Sequence, residues 1–239
     1  MKKKLIGTSV LMLSILLVGC AENSEGENEN VIETSGEAHV HDHDHGHAHD
    51  HDHQHEVNEE EKKIHQGYFE DEQVKDRPLS DWAGDWQSVY PLLLDGTLDE
   101  VFEHKASNDS SRSFEEIKNY YTTGYKTSID RLVIEENVVT FYDGDKEYKG
   151  EFEYDGYEIL TYEKGNRGVR FIFKHVGDEE GVPQYIQFSD HKIAPEKADH
   201  FHIYMGDDRD ALLNELSNWP TYFPSEMDGH TIVHEMIAH

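Results

Sequence analysis

Hydrophobic and polar positions alternate in short runs through the centre of the chain, and this pattern predicts β-strands. From Ile129 onward the runs are dense in Val, Ile, Tyr, Phe and Thr, which favour pleated, half-buried strands. Asp143-Gly144, Asp155-Gly156 and Gly165-Asn166 interrupt them, and each is a typical hairpin turn. Two further strands are expected near residues 184–189 and 200–205. This spacing indicates an antiparallel meander that curls into a sandwich or a barrel.

Apolar residues at helical spacing predict helices on both sides of the strands. Pro91–Leu94 should form a short helix that ends at Asp95-Gly96. A second helix should begin after Ser113, which acts as N-cap with Glu116 as its capping-box partner. The C-terminal stretches 211–220 and 225–239 predict two more helices. Residues 64–239 are therefore expected to form one mainly β domain with several added α-helices.

The N-terminus has the pattern of a lipoprotein signal peptide. Three lysines at positions 2–4 precede an apolar run, Leu5–Val18, which is followed by Gly19 and Cys20. A basic segment followed by a short apolar run is typical of a secretory signal, and the string LVGC resembles a bacterial lipobox. We therefore expect a signal peptide at 1–19, a lipid on Cys20, and an extracytoplasmic protein anchored to the bacterial membrane. An uncleaved signal anchor with an incidental cysteine is the alternative.

Residues 20–63 are expected to be a disordered tether, because acidic and small polar residues cannot bury enough apolar surface to fold. Its second half carries a histidine at every odd position of a seventeen-residue tract. These histidines are His39, His41, His43, His45, His47, His49, His51, His53 and His55. Imidazoles interleaved with carboxylates favour metal binding. A solvated low-complexity linker is the alternative. The formal net charge of -30 argues against a nucleic-acid partner.

A second group of histidines lies in the segment 188–206. His200 and His202 stand two apart on an expected strand, so their side chains face the same way. His191 lies nine residues before His200, across a loop that contains Pro195. Three converging imidazoles could form a tetrahedral zinc site with one position open. From spacing alone, half-buried polar residues without a metal remain the alternative.

Several strings of the domain resemble the ZinT (YodA) family of bacterial metal-binding proteins. The matching strings are GYFEDEQVKDRPLSDWAGDWQSVYPLLLDGTLDEVFEHKA, DGYEILTYEKGNRGVRFIFK, YIQFSDHKIAPEKADHFHIY and NWPTYFPSEM. The resemblance implies a lipocalin-like (calycin) antiparallel β-barrel with added helices, in which Gly84-Asp85-Trp86 closes one end. It also implies that His191, His200 and His202 bind the metal. The lipobox and the long histidine tract depart from the enterobacterial pattern.

The resemblance further implies capture of Zn²⁺, and binding of Cd²⁺, in cooperation with the substrate-binding component of an ABC-type zinc importer. In some relatives the domain is fused to that component. We expect no enzymatic activity. A passive buffer against excess zinc or cadmium, a zinc hydrolase and a small-molecule lipocalin are the alternative functions.

The remaining histidines are expected to have no part in the main site. His230 and His234 stand at i and i+4 before Glu235, with His239 at the C-terminus. This order differs from the His-Glu-x-x-His pattern of metalloproteases, so we interpret them as solvent-facing, with a secondary metal site as the alternative. The isolated residues His65, His104 and His175 are interpreted as structural or surface residues.

Overall fold

An eight-stranded antiparallel barrel organises the protein. Its computed structural model describes residues 59–162 and 165–238. Each strand pairs with its neighbour in sequence, and β8 returns to pair with β1. The strands are β1 (Gly84–Ser88), β2 (Arg131–Glu135), β3 (Val138–Asp143), β4 (Lys146–Thr161), β5 (Arg167–His175), β6 (Tyr185–Ser189), β7 (Phe201–Gly206) and β8 (Thr221–Pro224). The expected lipocalin-like barrel is confirmed.

Helices precede, interrupt and follow the barrel strands. They are α1 (Glu59–His65), α2 (Tyr90–Leu94), α3 (Asp99–Asn108), α4 (Phe114–Tyr125), α5 (Arg209–Leu213) and α6 (Gly229–Ala238). The predicted capping box begins α4, since the Ser113 hydroxyl accepts the backbone N–H of Glu116 and the Glu116 carboxylate accepts that of Ser113. The other predicted helices are present, but the one expected at 211–220 is much shorter and ends at Leu213.

Two of the three predicted turns are confirmed, and the third is wrong. The chain turns at Asp143-Gly144 and again before β5, near Gly165-Asn166. Asp155-Gly156 instead lies within the continuous strand β4, where the register with β5 shifts between Tyr154 and Tyr157. Gly156 has φ +93°. A β-bulge and a hairpin turn can both use a glycine at positive φ, so the dipeptide alone does not distinguish them.

Apolar side chains form two separate clusters, one inside the barrel and one among the helices. The first contains Trp82 and Trp86, and the second contains side chains of α3, α4 and α6. Adjacent residues of β8 belong to different clusters: Tyr222 to the first and Phe223 to the second. Since successive strand residues face opposite ways, the helices cover the outer face of the barrel at β8.

The predicted signal peptide, Cys20 and all nine tract histidines lie outside the described residues, so their predictions stay predictions. The expected start of the domain at residue 64 falls inside α1, whose last residue is His65. Within the described parts of the chain, no helix has the length and apolar character needed to cross a membrane.

Candidate metal centre

The structure brings together the three histidines predicted to bind metal. His191 lies in the connection from β6 to β7, His200 immediately precedes β7, and His202 is on that strand. The ring centroids are 6.3 Å apart for His191 and His200, 6.0 Å for His191 and His202, and 6.2 Å for His200 and His202. They form a nearly equilateral triangle at one end of the barrel sheet.

The triangle is slightly wider than a zinc-bound set. Nitrogen–zinc distances of about 2.0–2.1 Å in a tetrahedral site place imidazole centroids about 5 Å apart. In the described part of the chain, no three His, Cys, Asp or Glu groups are as close as a bound ion requires. Each ring must therefore move inward, by less than about 1 Å, to share an ion at those bond lengths. Small side-chain rotations can provide such movements.

The backbone of His191 adopts a left-handed conformation, with φ 63°. This region is uncommon for residues other than glycine, although histidine is among those enriched in it. Such a conformation persists only where the surrounding structure enforces it. The residue before it, Asp190, is almost fully buried and supplies that constraint.

Arg77 fixes the segment that carries His191. Its guanidinium donates to both carboxylate oxygens of Asp190, at 2.6 and 2.9 Å, and to Asp81 at 2.9 Å. It also donates to the backbone carbonyls of Lys192 and Glu196, at 3.3 and 2.7 Å. The side chains of Arg77 and Asp190 are both fully buried. This network joins the β6–β7 connection to the segment before β1.

His202 is held in the tautomer that can bind metal through Nε2. Its Nδ1 lies 2.7 Å from Oγ1 of Thr221, its partner across the β7–β8 pair. The Thr221 hydroxyl donates its hydrogen to the carbonyl of Trp219, at 3.0 Å. Since a hydroxyl has one hydrogen, Thr221 accepts from Nδ1–H of His202. Nε2 then carries the lone pair.

Replacing Thr221 with valine is expected to weaken Zn²⁺ binding about 10–100-fold, the usual effect of losing a group that orients a metal-binding histidine. Valine conserves the volume at this buried position but cannot accept the Nδ1–H. Competitive Zn²⁺ titration measures the change.

Thr140→Val is the matched control, because Thr140 is also buried but lies on β3. It should leave the affinity unchanged. Equal affinities for Thr221→Val and the wild-type protein would show that this hydrogen bond does not prepare His202 for the metal.

His65, which the sequence left outside the main site, lies against the cluster. Its ring stacks on that of His191, with centroids 4.6 Å apart and an interplanar angle of 21°. Its backbone carbonyl lies 3.3 Å from Nδ1 of His191. Because a carbonyl can only accept, Nδ1 of His191 carries the hydrogen, and its Nε2 is also available for a metal.

Gly67 explains why α1 ends beside the cluster. The backbone N–H groups of Gly67 and Tyr68 bond to the carbonyls of Ile64 and Lys63, each at 2.8 Å, as in a glycine-terminated helix. Gly67 has φ +85°, and a Cβ there would lie 2.3 Å from the carbonyl oxygen of Arg167. Glycine therefore permits both the helix end and its close approach to β5. Nothing in the local sequence predicted that the end of α1 would lie against β5 and beside the histidine cluster.

The imidazoles of the cluster favour the neutral form that binds metals. The pKa of His191 is lowered to about 4, first by burial and then by repulsion from His65 and His200. Burial likewise lowers the pKa of His200 to about 4, against an opposing effect of Asp199. His191 is nevertheless an exposed residue, so burial removes its ring only partly from water. Neutral rings offer nitrogen lone pairs without first losing a proton.

The other histidines of the described residues lie at structural or surface positions, as the sequence predicted. His104 is exposed on α3 and bonds to Asn108 at 2.9 Å. His175 is buried at the end of β5, 2.8 Å from the Glu179 carboxylate. His230 and His234 are exposed on α6, as expected; His239 lies outside the described residues.

Barrel and cluster together define a lipocalin-like protein with several imidazoles gathered at one end of the barrel. The model of the ZinT (YodA) periplasmic lipocalin-like zinc-recruitment family matches residues 60–239. The chain belongs to this family.

Similar proteins are named for metal binding. The chain is 63% identical over 182 residues to the probable metal-binding protein YrpE of Bacillus subtilis, covering 76% of this chain and 72% of YrpE. It is 50% identical over 182 residues to the zinc-binding lipoprotein AdcA of Streptococcus pneumoniae, covering 76% of this chain but only 36% of AdcA. It therefore spans about a third of the length of AdcA.

Solved structures agree with this assignment. The crystal structure of the Zn(II)-bound ZinT-like domain of Streptococcus pneumoniae AdcA matches with a TM-score of 0.71 and 49% identity. The match covers 73% of this chain and 97% of that domain. The crystal structure of Zn(II)-bound AdcA matches with a TM-score of 0.72 and 50% identity, over 74% of this chain and 38% of AdcA.

Proposed function

We propose that the protein captures Zn²⁺ outside the cytoplasm and supports its delivery to the substrate-binding component of an ABC-type zinc importer. The observation that carries this proposal is the triangle of His191, His200 and His202, in which two rings are oriented through Nδ1 to present Nε2. Neutral imidazole is a preferred zinc ligand. In this proposal Zn²⁺ is cargo, and Cd²⁺, which has similar ligand preferences, is a competitor for the same site.

His65 is our candidate for the fourth zinc ligand. Its ring lies 4.6 Å from that of His191, near enough to reach a shared ion once it turns out of the stacked orientation, and it lowers the pKa of both His191 and His200 through electrostatic repulsion. Burial lowers its own pKa, which also favours the neutral ring. A fourth imidazole would complete a tetrahedral set, and structural zinc sites are commonly four-coordinate.

The N-terminal segments suit a collecting role. We propose that a lipid on Cys20 anchors the protein to the membrane, and that the tether with its nine histidines collects Zn²⁺ weakly before transfer to the barrel. Many exposed imidazoles on a flexible chain bind and release ions readily, whereas an oriented set holds them longer. AdcA, a zinc-binding lipoprotein, carries the same domain within a chain nearly three times as long as the match, which supports joint action with further polypeptide.

We propose no catalytic role for the site. Hydrolysis at zinc requires a general base beside the open position. The carboxylates next to the metal-binding histidines in the chain are engaged: Asp190 by Arg77 and Asp199 by Lys192, at 2.9 Å. Passive buffering remains the second candidate function, because a buffer needs the same histidines.

Growth of a deletion strain separates delivery from buffering. If the protein delivers zinc, the strain should grow poorly when a chelator limits Zn²⁺, and the wild-type gene should restore growth. A gene with His191, His200 and His202 changed to alanine should fail to do so. A strain that grows normally in limiting zinc but is sensitive to excess zinc or cadmium would instead show a buffering role.

A further inference from the structure

The C-terminal helix α6 is firmly attached along one face. Ile232, Val233 and Met236 are buried in the helical cluster. At its start, the Asp228 carboxylate accepts the backbone N–H of Thr231 at 2.8 Å. The helix backbone is therefore fixed, and the side chains of its opposite face project from a rigid support.

His230 and His234 stand on that opposite, exposed face. Residues four apart on a helix are neighbours, and here the two Nε2 atoms lie 3.2 Å apart. The ring centroids are 4.4 Å apart with an interplanar angle of 69°. The rings therefore meet through their nitrogen edges instead of stacking face to face.

The distance between the two Nε2 atoms suits two nitrogens that bind one metal ion. Two nitrogens 3.2 Å apart, each about 2.0–2.1 Å from one ion, subtend an angle of about 100° at that ion. The value lies between the tetrahedral and square-planar angles that transition-metal ions adopt. In the absence of metal, one Nε2–H donates to the other Nε2. An ion can take the place of that shared hydrogen without moving the helix.

We propose that His230 and His234 form a second metal site, which binds a divalent transition-metal ion through the two Nε2 atoms and leaves its other positions to water. The site is independent of the zinc cluster and of its proposed function. Imidazole ligands and two open positions favour Cu²⁺ over Ni²⁺ and Zn²⁺. Because the site is exposed and has two protein ligands, it exchanges its ion with solution more readily than the oriented cluster.

Carbethoxylation by diethyl pyrocarbonate tests the site residue by residue, since the reagent modifies imidazole nitrogens that hold no metal. The full mature chain is treated with and without Ni²⁺. Peptide mass spectrometry then measures the extent of modification at each histidine. When free Ni²⁺ exceeds the dissociation constant about tenfold, modification of His230 and His234 should slow about tenfold. Absence of protection even at Ni²⁺ concentrations far above those that protect His191 and His200 would overturn the proposal.

Two variants test the chelate geometry. His234→Gln keeps a good helix former at an exposed position and should abolish protection of His230. The double variant His234→Gln/Glu235→His keeps the number of histidines but changes their spacing to five, and it should also leave His230 unprotected. Protection of His230 that survives in either variant would overturn the proposal.

The variant with alanine at positions 191, 200 and 202 separates this site from the zinc cluster. Protection of His230 and His234 should be unchanged in it. Loss of their protection in that variant would show that the helix pair is not an independent site, whatever the fate of the zinc function.

Discussion

Replacing His191, His200 and His202 together with alanine should remove the tight Zn²⁺ site and lower its affinity by more than about a thousandfold. Loss of one residue that only orients a ligand typically lowers the metal affinity by about 10–100-fold. This variant removes three residues that are proposed to bind the metal directly. Competitive titration of the mature chain against a chelator of known affinity measures the change. Weak binding by the histidine tract should remain.

Two controls make the result specific. Changing the exposed residues His104, His230 and His234 to alanine removes the same number of imidazoles and should leave the tight site intact. Deletion of residues 38–56 should also keep one tight site. If the cluster variant binds Zn²⁺ as tightly as the wild-type protein, the proposed site is wrong, and tight binding must reside in another part of the chain, such as the tether.

The single variant His65→Ala tests the fourth ligand in the same titration. Three imidazoles would remain, with water completing the coordination sphere. Weaker binding at an unchanged stoichiometry of one tight site is therefore expected. An affinity equal to that of the wild-type protein would show that His65 stacks beside the site without binding the ion.

Replacing Arg77 with methionine should lower the free energy of unfolding by about 3–5 kcal/mol, because it leaves the buried carboxylate of Asp190 without its charged partner. Methionine conserves much of the side-chain volume but donates no hydrogen bonds. For a domain of this size, the melting temperature should fall by about 10 °C. Affinity for Zn²⁺ should fall as well, because Arg77 fixes the segment that carries His191.

Arg209→Met is the matched control. Arg209 pairs with Asp155 and Glu158, at 2.9 and 3.0 Å, but its side chain is 25% exposed. Ion pairs at the surface usually contribute at most about 1 kcal/mol. Thermal unfolding monitored by circular dichroism compares the two variants. Similar melting temperatures for both would show that the buried pair does not hold the β6–β7 connection.

Local pattern predicted many of the elements but not α1 or α3, and one predicted turn was wrong. Alternating strands, the Ser113 capping box and the same-face pair His200 and His202 depend on neighbours within a few residues, where periodicity is informative. The turn predicted at Asp155-Gly156 was wrong, because a glycine at positive φ suits a bulge as well as a turn. Only pairing with β5 decides between them.

The sequence by itself determined the class of most elements and, through the resemblance, the family, and it predicted which three histidines bind the metal. The tertiary structure decided how these histidines are supported. His65 reaches His191 across 126 residues of chain, and Arg77 reaches Asp190 across 113. Contacts at such separations leave no periodic trace in the sequence. They arise only when barrel closure and the end of α1 at Gly67 bring the segments together.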